Sequence, residues 1–194
     1  MKMNQKNSNK IRLMAVVGLM AALVFVFTYI GIDIPSPLAK TKLHLGNVMC
    51  LLAGLLFGGV PGGLAAGIGS AIFDLMDPLW APGFWVTFIN KFAMGFVAGI
   101  LYAKLKINPK ARCIIAALAG SLTYSFLYIS KSLITMHIVE GVTWKAAFLA
   151  ISTTKLPVTL VNGLIAVVCS VLLAAALRPA LKKAGLFRET MTKE

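Results

Sequence analysis

Apolar residues fall into six runs, at roughly 12–31, 45–59, 61–77, 84–103, 112–136 and 149–177. Crossing a bilayer core takes about 20 apolar residues in a helix, and most of these runs meet that length. The second and third are short. They are joined at residues 58–63 by Gly-Gly-Val-Pro-Gly-Gly, a tight turn with Pro61 suited to a first helical turn. Breakers mark the other joints: Asp33-Ile34-Pro35-Ser36-Pro37, Asp77-Pro78, Pro82-Gly83 and Asn108-Pro109. The pattern predicts an all-α integral membrane bundle of six transmembrane helices. With no low-complexity stretch and no repeat between the halves, it reads as one domain: a bundle over 12–177, with 1–11 and 178–194 as cytoplasmic tails.

Composition agrees. The chain is 59% hydrophobic and 13% charged, against about 45–50% and 25% in soluble domains. A net charge of +13 could point to nucleic acid only if the cations formed a soluble basic face. Instead they lie between the apolar runs, so no nucleic-acid partner is expected. Lys2, Lys6, Lys10 and Arg12 precede the first run. Lys104, Lys106, Lys110 and Arg112 join the fourth and fifth, and Arg178, Lys182, Lys183, Arg188 and Lys193 follow the sixth. Six spans put all of these on one side, the cytoplasm by the positive-inside rule; Lys40, Lys42 and Lys145 fall opposite. Both termini are then cytoplasmic. The apolar stretch 13–30 exceeds a signal-peptide core of about 7–15 residues and reads as a retained helix. Cys50, Cys113 and Cys169 form no CxxC or Cys/His pattern, so neither a disulfide framework nor a metal site is expected.

Lys91, Lys131 and Lys155 lie within apolar runs. Charges at the bilayer centre cost about 2.5–3.5 kcal/mol and usually face a cavity or a partner. At about 1.5 Å per residue, all three sit roughly 10 Å below the outer surface, and Asp74 shares that layer. Each belongs to a polar stripe at helical spacing: Ser70, Asp74 and Asp77; Thr87, Asn90 and Lys91; Ser121, Tyr124, Tyr128 and Lys131; Lys155, Thr159 and Asn162. The inner halves of these helices are almost wholly apolar. A conducting pore would be polar throughout, so the layer reads as a pocket open outward and closed below, with Asp74 balancing part of its positive charge.

Blander readings exist for each residue alone. A lysine near a helix end can snorkel, Asp74 can pair structurally with Lys91, and Tyr124 and Tyr128 can simply pack. Their shared depth favours the pocket. Trp80, Trp85 and Trp144 suit an interfacial belt, with Trp80 and Trp85 alternatively stacking on a ligand. His44 and Asn47 read as half-exposed polar residues or pocket rim. Residues 31–38, Gly-Ile-Asp-Ile-Pro-Ser-Pro-Leu, form a long connection whose prolines limit its conformations. It is expected to close over a ligand as a lid with Asp33 at its edge. Glycines at four-residue spacing, including Gly54, Gly58, Gly62, Gly63, Gly67, Gly95 and Gly99, allow close helix approach. No phosphate loop, HExxH or GxSxG motif is present, and no cofactor is expected.

Taken together, the chain resembles the substrate-binding S components of energy-coupling factor (ECF) vitamin transporters over about residues 10–180. The resemblance rests on size, six spans with both ends inside, and the Lys-flanked first helix Ala15-Val-Val-Gly-Leu-Met-Ala-Ala22. It rests also on the stretch from His44-Leu-Gly-Asn47 through residues 58–63, and on Phe88-Ile-Asn-Lys-Phe-Ala-Met-Gly95. It is most similar to the branch for riboflavin, pyridoxine and hydroxymethylpyrimidine. The resemblance implies a subunit in a prokaryotic plasma membrane that captures a scarce vitamin outside. It would then dock on a transmembrane coupling subunit carrying two ATPases and topple to release its ligand inside. It also implies ligand binding in the outer half, under the loop after the first helix. The family's docking motif on helix 1 is Ala-x-x-x-Ala; here Gly18-x-x-x-Ala22 is the nearest match, on a face shared with Ala15. The rival from another class is a small intramembrane enzyme acting on a lipid-linked phosphate, although no carboxylate pair suited to a metal lies near the cytoplasmic face.

Overall fold

Length and hydropathy divide the helices of the computed structural model into two kinds. The model describes residues 5–34 and 41–183. Five helices are long and apolar enough to cross a membrane: α1 (Gln5–Tyr29), α3 (Gly59–Met76), α4 (Phe84–Lys104), α5 (Pro109–Val139) and α6 (Trp144–Lys183). The remaining one, α2 (Gly46–Phe57), has 12 residues. At 1.5 Å per residue it covers only about 18 Å, well short of a core about 30 Å thick. The expected second span is thus a short helix. Its sequence is apolar all round, and every residue but Phe57 is buried, as such a helix requires.

Glycine decides how these helices approach. Gly58, at φ 88°, is the reversal from which α3 returns antiparallel to α2, because only glycine adopts that backbone without strain. On α3, Gly59, Gly63 and Gly67 form a groove into which α4 lays Phe96, Phe92 and Phe88. These three rings stack along α4 at 5.4 and 6.1 Å. Ridges spaced by four residues therefore fill grooves spaced by four. Beside them the backbones touch: a Cβ on Gly54 would overlap the Gly95 carbonyl, and one on Gly99 the Gly58 carbonyl carbon. Behind this seam lie Cys50, Leu51, Leu55, Met94, Ala98, Ala116 and Ala117, all in one buried core.

The structure alters the expected boundaries in three places. Between α1 and α2, Gly31–Ile34 (β1) and Thr41–His44 (β2) form an antiparallel ribbon, with Asp33 opposite Lys42 and Gly31 opposite His44. Pro35, Ser36 and Pro37 of the expected lid lie outside the described residues, as do Lys40, Lys2, Arg188 and Lys193. Helix α6 starts at Trp144 and runs through Lys183, and α1 starts at Gln5. Parts of the expected tails are therefore helical, because hydropathy marks where apolar residues stop, whereas lysine and arginine continue a helix readily. Finally, α5 ends in a π-helical turn, Thr135–Val139, and α6 contains another, Ile151–Lys155. The two face each other across a small separate cluster of Met136, Ala147, Ala150 and Ile151.

The glycine seam yields a prediction. Gly95→Leu forces a side chain into backbone contact, and overpacking costs about 1–3 kcal/mol or more. Its thermal unfolding midpoint in detergent should fall by several degrees, while leucine at the exposed, open Gly18 should leave it nearly unchanged. Equal midpoints for the two variants would contradict the seam.

Candidate functional site

Because α2 is short, the space above its N-terminus is not filled by helix. A pocket open on one side occupies it. Helix α3 contributes Ser70, Phe73 and Asp74, α4 Val86, Thr87, Asn90 and Lys91, α5 Tyr124, Tyr128 and Lys131, and α6 Thr159 and Asn162. Thr28 of α1, the β2 residues Thr41, Lys42 and His44, and Trp80 complete the wall.

The floor is built around Lys91, which is 3% exposed. Its Nζ donates to Asn47 Oδ1 and lies 4.0 Å from the Tyr124 ring centroid. An amide oxygen and a π-face thus solvate an ammonium with little exposure to water. Tyr124 stacks on Tyr128 at 5.7 Å and 18°. Beyond them Lys155 lies 5.6 Å from the Tyr128 centroid and donates to Ser132 Oγ at 3.2 Å. One aromatic pair is thereby flanked by two cations. Asp74 is buried beside Thr87, and among the described residues it forms no ion pair.

The roof is the ribbon, and Asn162 holds it. Its Nδ2 donates to the Lys42 carbonyl at 2.8 Å, and its Oδ1 accepts from the His44 N–H at 3.1 Å. An asparagine on α6 thereby completes the backbone hydrogen bonding of β2, as a neighbouring strand would. The Gly46 N–H donates to His44 Nδ1 at 3.1 Å, which leaves the ring proton on Nε2. Burial, reinforced by Lys91 and Lys42, keeps His44 well below its ordinary pKa and hence neutral. At the rim, Lys42 pairs with Asp33 at 3.8 Å and lies over the Phe73 ring at 4.6 Å.

Most of the residues singled out from the sequence converge here. Asp74, Trp80, Asn90, Lys91, Tyr124, Tyr128, Lys131, Thr159 and Asn162 line the pocket. Lys155 stands just behind Tyr128. Trp85 does not join them; it is 58% exposed at the start of α4, as an interfacial tryptophan would be. His44 is partly exposed and lines the pocket, as expected, but Asn47 is not half-exposed rim. Asn47 is 1% exposed and supports the floor, because the helix that begins there starts inside the protein. Thr28, Thr41, Lys42 and Phe73 were missed. The first three reach the site only through the ribbon and the end of α1, whose paths no helical stripe encodes. On the opposite flank Ala15, Gly18 and Ala22 are exposed on one face of α1, and a Cβ on Gly18 would meet nothing within 4 Å.

The floor is testable on its own. Removing one partner of a buried hydrogen bond to a charge leaves the other unsatisfied, whereas replacing both with apolar groups can be nearly neutral. Asn47→Leu alone should cost about 2–3 kcal/mol, and adding Lys91→Met should restore much of it. Thermal unfolding of the two single variants and the double variant checks this; additive losses would dissolve the pair.

Comparison with known proteins adds a family. The sequence profile described as "ECF-type riboflavin transporter, S component" matches residues 8–179. A solved structure titled "Structure and mechanism of the S component of a bacterial ECF transporter" shares the fold at a TM-score of 0.61 and 21% identity, over 92% of this chain and 99% of that one. An uncharacterized protein in the gap 3′ region of Pyrococcus woesei is 31% identical over 100 residues, 51% of this chain and 64% of that protein. A UPF0397 protein of Lactiplantibacillus plantarum is 31% identical over 106 residues, 55% of each. The chain thus spans less than two thirds of the length of either curated relative.

Proposed function

The chain belongs to the ECF-type riboflavin transporter S-component family, and from that premise we propose that it captures a small water-soluble vitamin or vitamin precursor at the outer face. It is a multi-pass membrane protein and a transporter component, not an enzyme. The finer reading is ours: the ligand is of the riboflavin, pyridoxine or hydroxymethylpyrimidine type, and it enters the cell when the subunit docks on a coupling subunit driven by two ATPases.

The observation that carries this reading is a polar pocket at one end of an apolar bundle. It opens beside the ribbon and is sealed beneath by α2 and the Lys91–Asn47 floor. Such a chamber can hold a solute but offers it no path through the isolated chain, so release needs a partner that moves or opens the bundle. Lys91 and Lys131 supply donors, Lys155 adds positive charge behind Tyr128, Tyr124 and Tyr128 offer a surface for a planar ring, and Asn162 sets the roof. Trp80 closes one side, while Asn90 and Thr159 add neutral polar groups.

Co-purification followed by mass spectrometry tests capture most directly, with calorimetric titration of the three vitamin types as the quantitative arm. A hydrogen bond to a charged group is worth about 1.5–3 kcal/mol, so alanine at a lysine that touches ligand should weaken binding roughly 10- to 150-fold. Unchanged affinity in all three lysine variants would remove the pocket from the mechanism.

Docking has its own surface in this reading. Lipid tails are as apolar as leucine, so a small-residue face gains more from a close-packed helix than from lipid. Ala15, Gly18 and Ala22 form such a face, and it is turned away from the bundle. Tryptophan at Gly18 or Ala22 should leave vitamin affinity intact and abolish both co-purification with the coupling complex and uptake by reconstituted vesicles. Loss of affinity would place the face inside the fold, and full uptake would move docking elsewhere.

A further inference from the structure

The charges around the pocket do not balance, and the imbalance is concentrated at one edge. Resting on the reading of the pocket as a vitamin site, we infer that its ligand is a planar aromatic molecule carrying one anionic group, a carboxylate or a phosphate, that seats against Lys131. The edge in question is formed by the outer part of α5, the 3₁₀ turn Ala81–Gly83 before α4, and Lys155 of α6.

Each cation has a different degree of internal satisfaction. Lys42 is paired with Asp33. Lys91 is held by Asn47 and covered by Tyr124. Lys155 donates to Ser132. Lys131 lines the pocket, with its Nζ 3.7 Å from where a Cβ on Gly83 would stand, and among the described residues it has neither a hydrogen bond nor an ion pair. Asp74, the one carboxylate in the wall, forms no ion pair among the described residues either. With Lys42 and Asp33 cancelling, the lining sets Lys91 and Lys131 against Asp74.

Another donor belongs to the same turn. Trp80 leads into it, the Gly83 N–H donating to its carbonyl, and its indole N–H is buried with no hydrogen-bond partner among the described residues. Ser132, next in sequence to Lys131, accepts from Lys155. Cations that outnumber the acids of the wall select an acceptor-rich ligand, and opposite charge close to them favours an anion. A carboxylate or phosphate meets both demands, whereas an amide or hydroxyl isostere meets only the first. The planar part follows from the stacked Tyr124 and Tyr128 rings beside this edge, whose faces suit offset stacking of a third ring.

The test uses the full chain in detergent or nanodiscs and matched pairs of probes: riboflavin and riboflavin 5′-phosphate, pyridoxine and its 5′-phosphate, nicotinamide and nicotinate. In the pair that binds, the anionic member should bind about tenfold tighter or better, the lower end expected for a hydrogen bond to a charged group. Raising the salt should shrink that ratio. Lys131→Gln should bring the ratio toward one, and Lys131→Arg should keep most of it, a pattern that general misfolding would not produce. A neutral member that binds as tightly as its anionic partner overturns the inference while leaving vitamin capture standing. A ratio undiminished in Lys131→Gln overturns the seat at Lys131. Failure of all six probes and of hydroxymethylpyrimidine to bind overturns both readings.

Discussion

The contact on which the rest of the structure depends is backbone against backbone, where α2, α3 and α4 meet at Gly54, Gly62, Gly95 and Gly99. Without Cβ atoms α3 and α4 come close enough to α2 that, with α1, α5 and α6, they enclose it. An enclosed helix has no lipid to match, so its length is free of the bilayer's thickness. It stops after 12 residues, and the volume it leaves unfilled becomes the pocket. At its inner end, Arg178 Nη2 donates to the Leu55 carbonyl at 2.6 Å, satisfying one of the acceptors that a helix terminus leaves unpaired. At its outer end, Asn47 holds Lys91. The same short element thus seals the bundle below and builds the floor above.

Charge is sorted along the same axis. Among the described residues every acid, Asp33, Asp74, Asp77 and Glu140, belongs to the pocket end of the bundle. The opposite end carries Arg112 and Arg178. There Arg112 and Arg178 lie 4.2 and 3.6 Å from the Tyr102 centroid, and Arg112 Nη2 donates to the Tyr102 hydroxyl at 2.9 Å. A single ring therefore gathers two guanidiniums from α5 and α6. Aromatic faces solvate cations at both ends of this molecule, at Tyr102 on one side and at Tyr124 and Tyr128 on the other. That lets cations sit half-buried where opposite charges are scarce.

How much of this was legible in the sequence depends on the kind of signal. Six helices follow from hydropathy, and the shared depth of Asp74, Lys91 and Lys131 follows from counting residues along helices, since depth and periodicity are local properties. The glycine spacing announced close approach, but the pairing of Gly63 with Phe92 needed the register of two helices. The ribbon was illegible for a physical reason: two four-residue strands are too short to show alternation. Their pairing is completed by Asn162, more than a hundred residues away. Asn162 was read as a ligand group because an asparagine on a polar stripe says nothing about whether its amide faces solute or backbone. Asn47 was read as peripheral because the start of an apolar run usually marks a membrane surface, and here it marks an interior. Lys155 carried the right depth, yet its π-helical turn places it behind Tyr128 rather than in the wall.

Helix α1 joins the two ends of the proposed mechanism. Its inner side packs Met20 and Val24 into the core, and Thr28, bonded to the Val24 carbonyl at 2.7 Å, reaches the pocket. Its outer side bears the open face at Ala15, Gly18 and Ala22. From its end the chain passes directly into β1, whose partner β2 carries Lys42 and His44 over the site. There is little slack along this path: a Cβ on Gly46 would overlap Thr28 Oγ1, and one on Gly69 the Ala21 carbonyl. A tightly packed core is bistable rather than continuously deformable, so a ligand that resets the ribbon acts on the same helix that the proposed partner would grip. The proposed binding and docking surfaces are separate, yet one rigid element carries both, and that arrangement would let a partner distinguish a loaded pocket from an empty one.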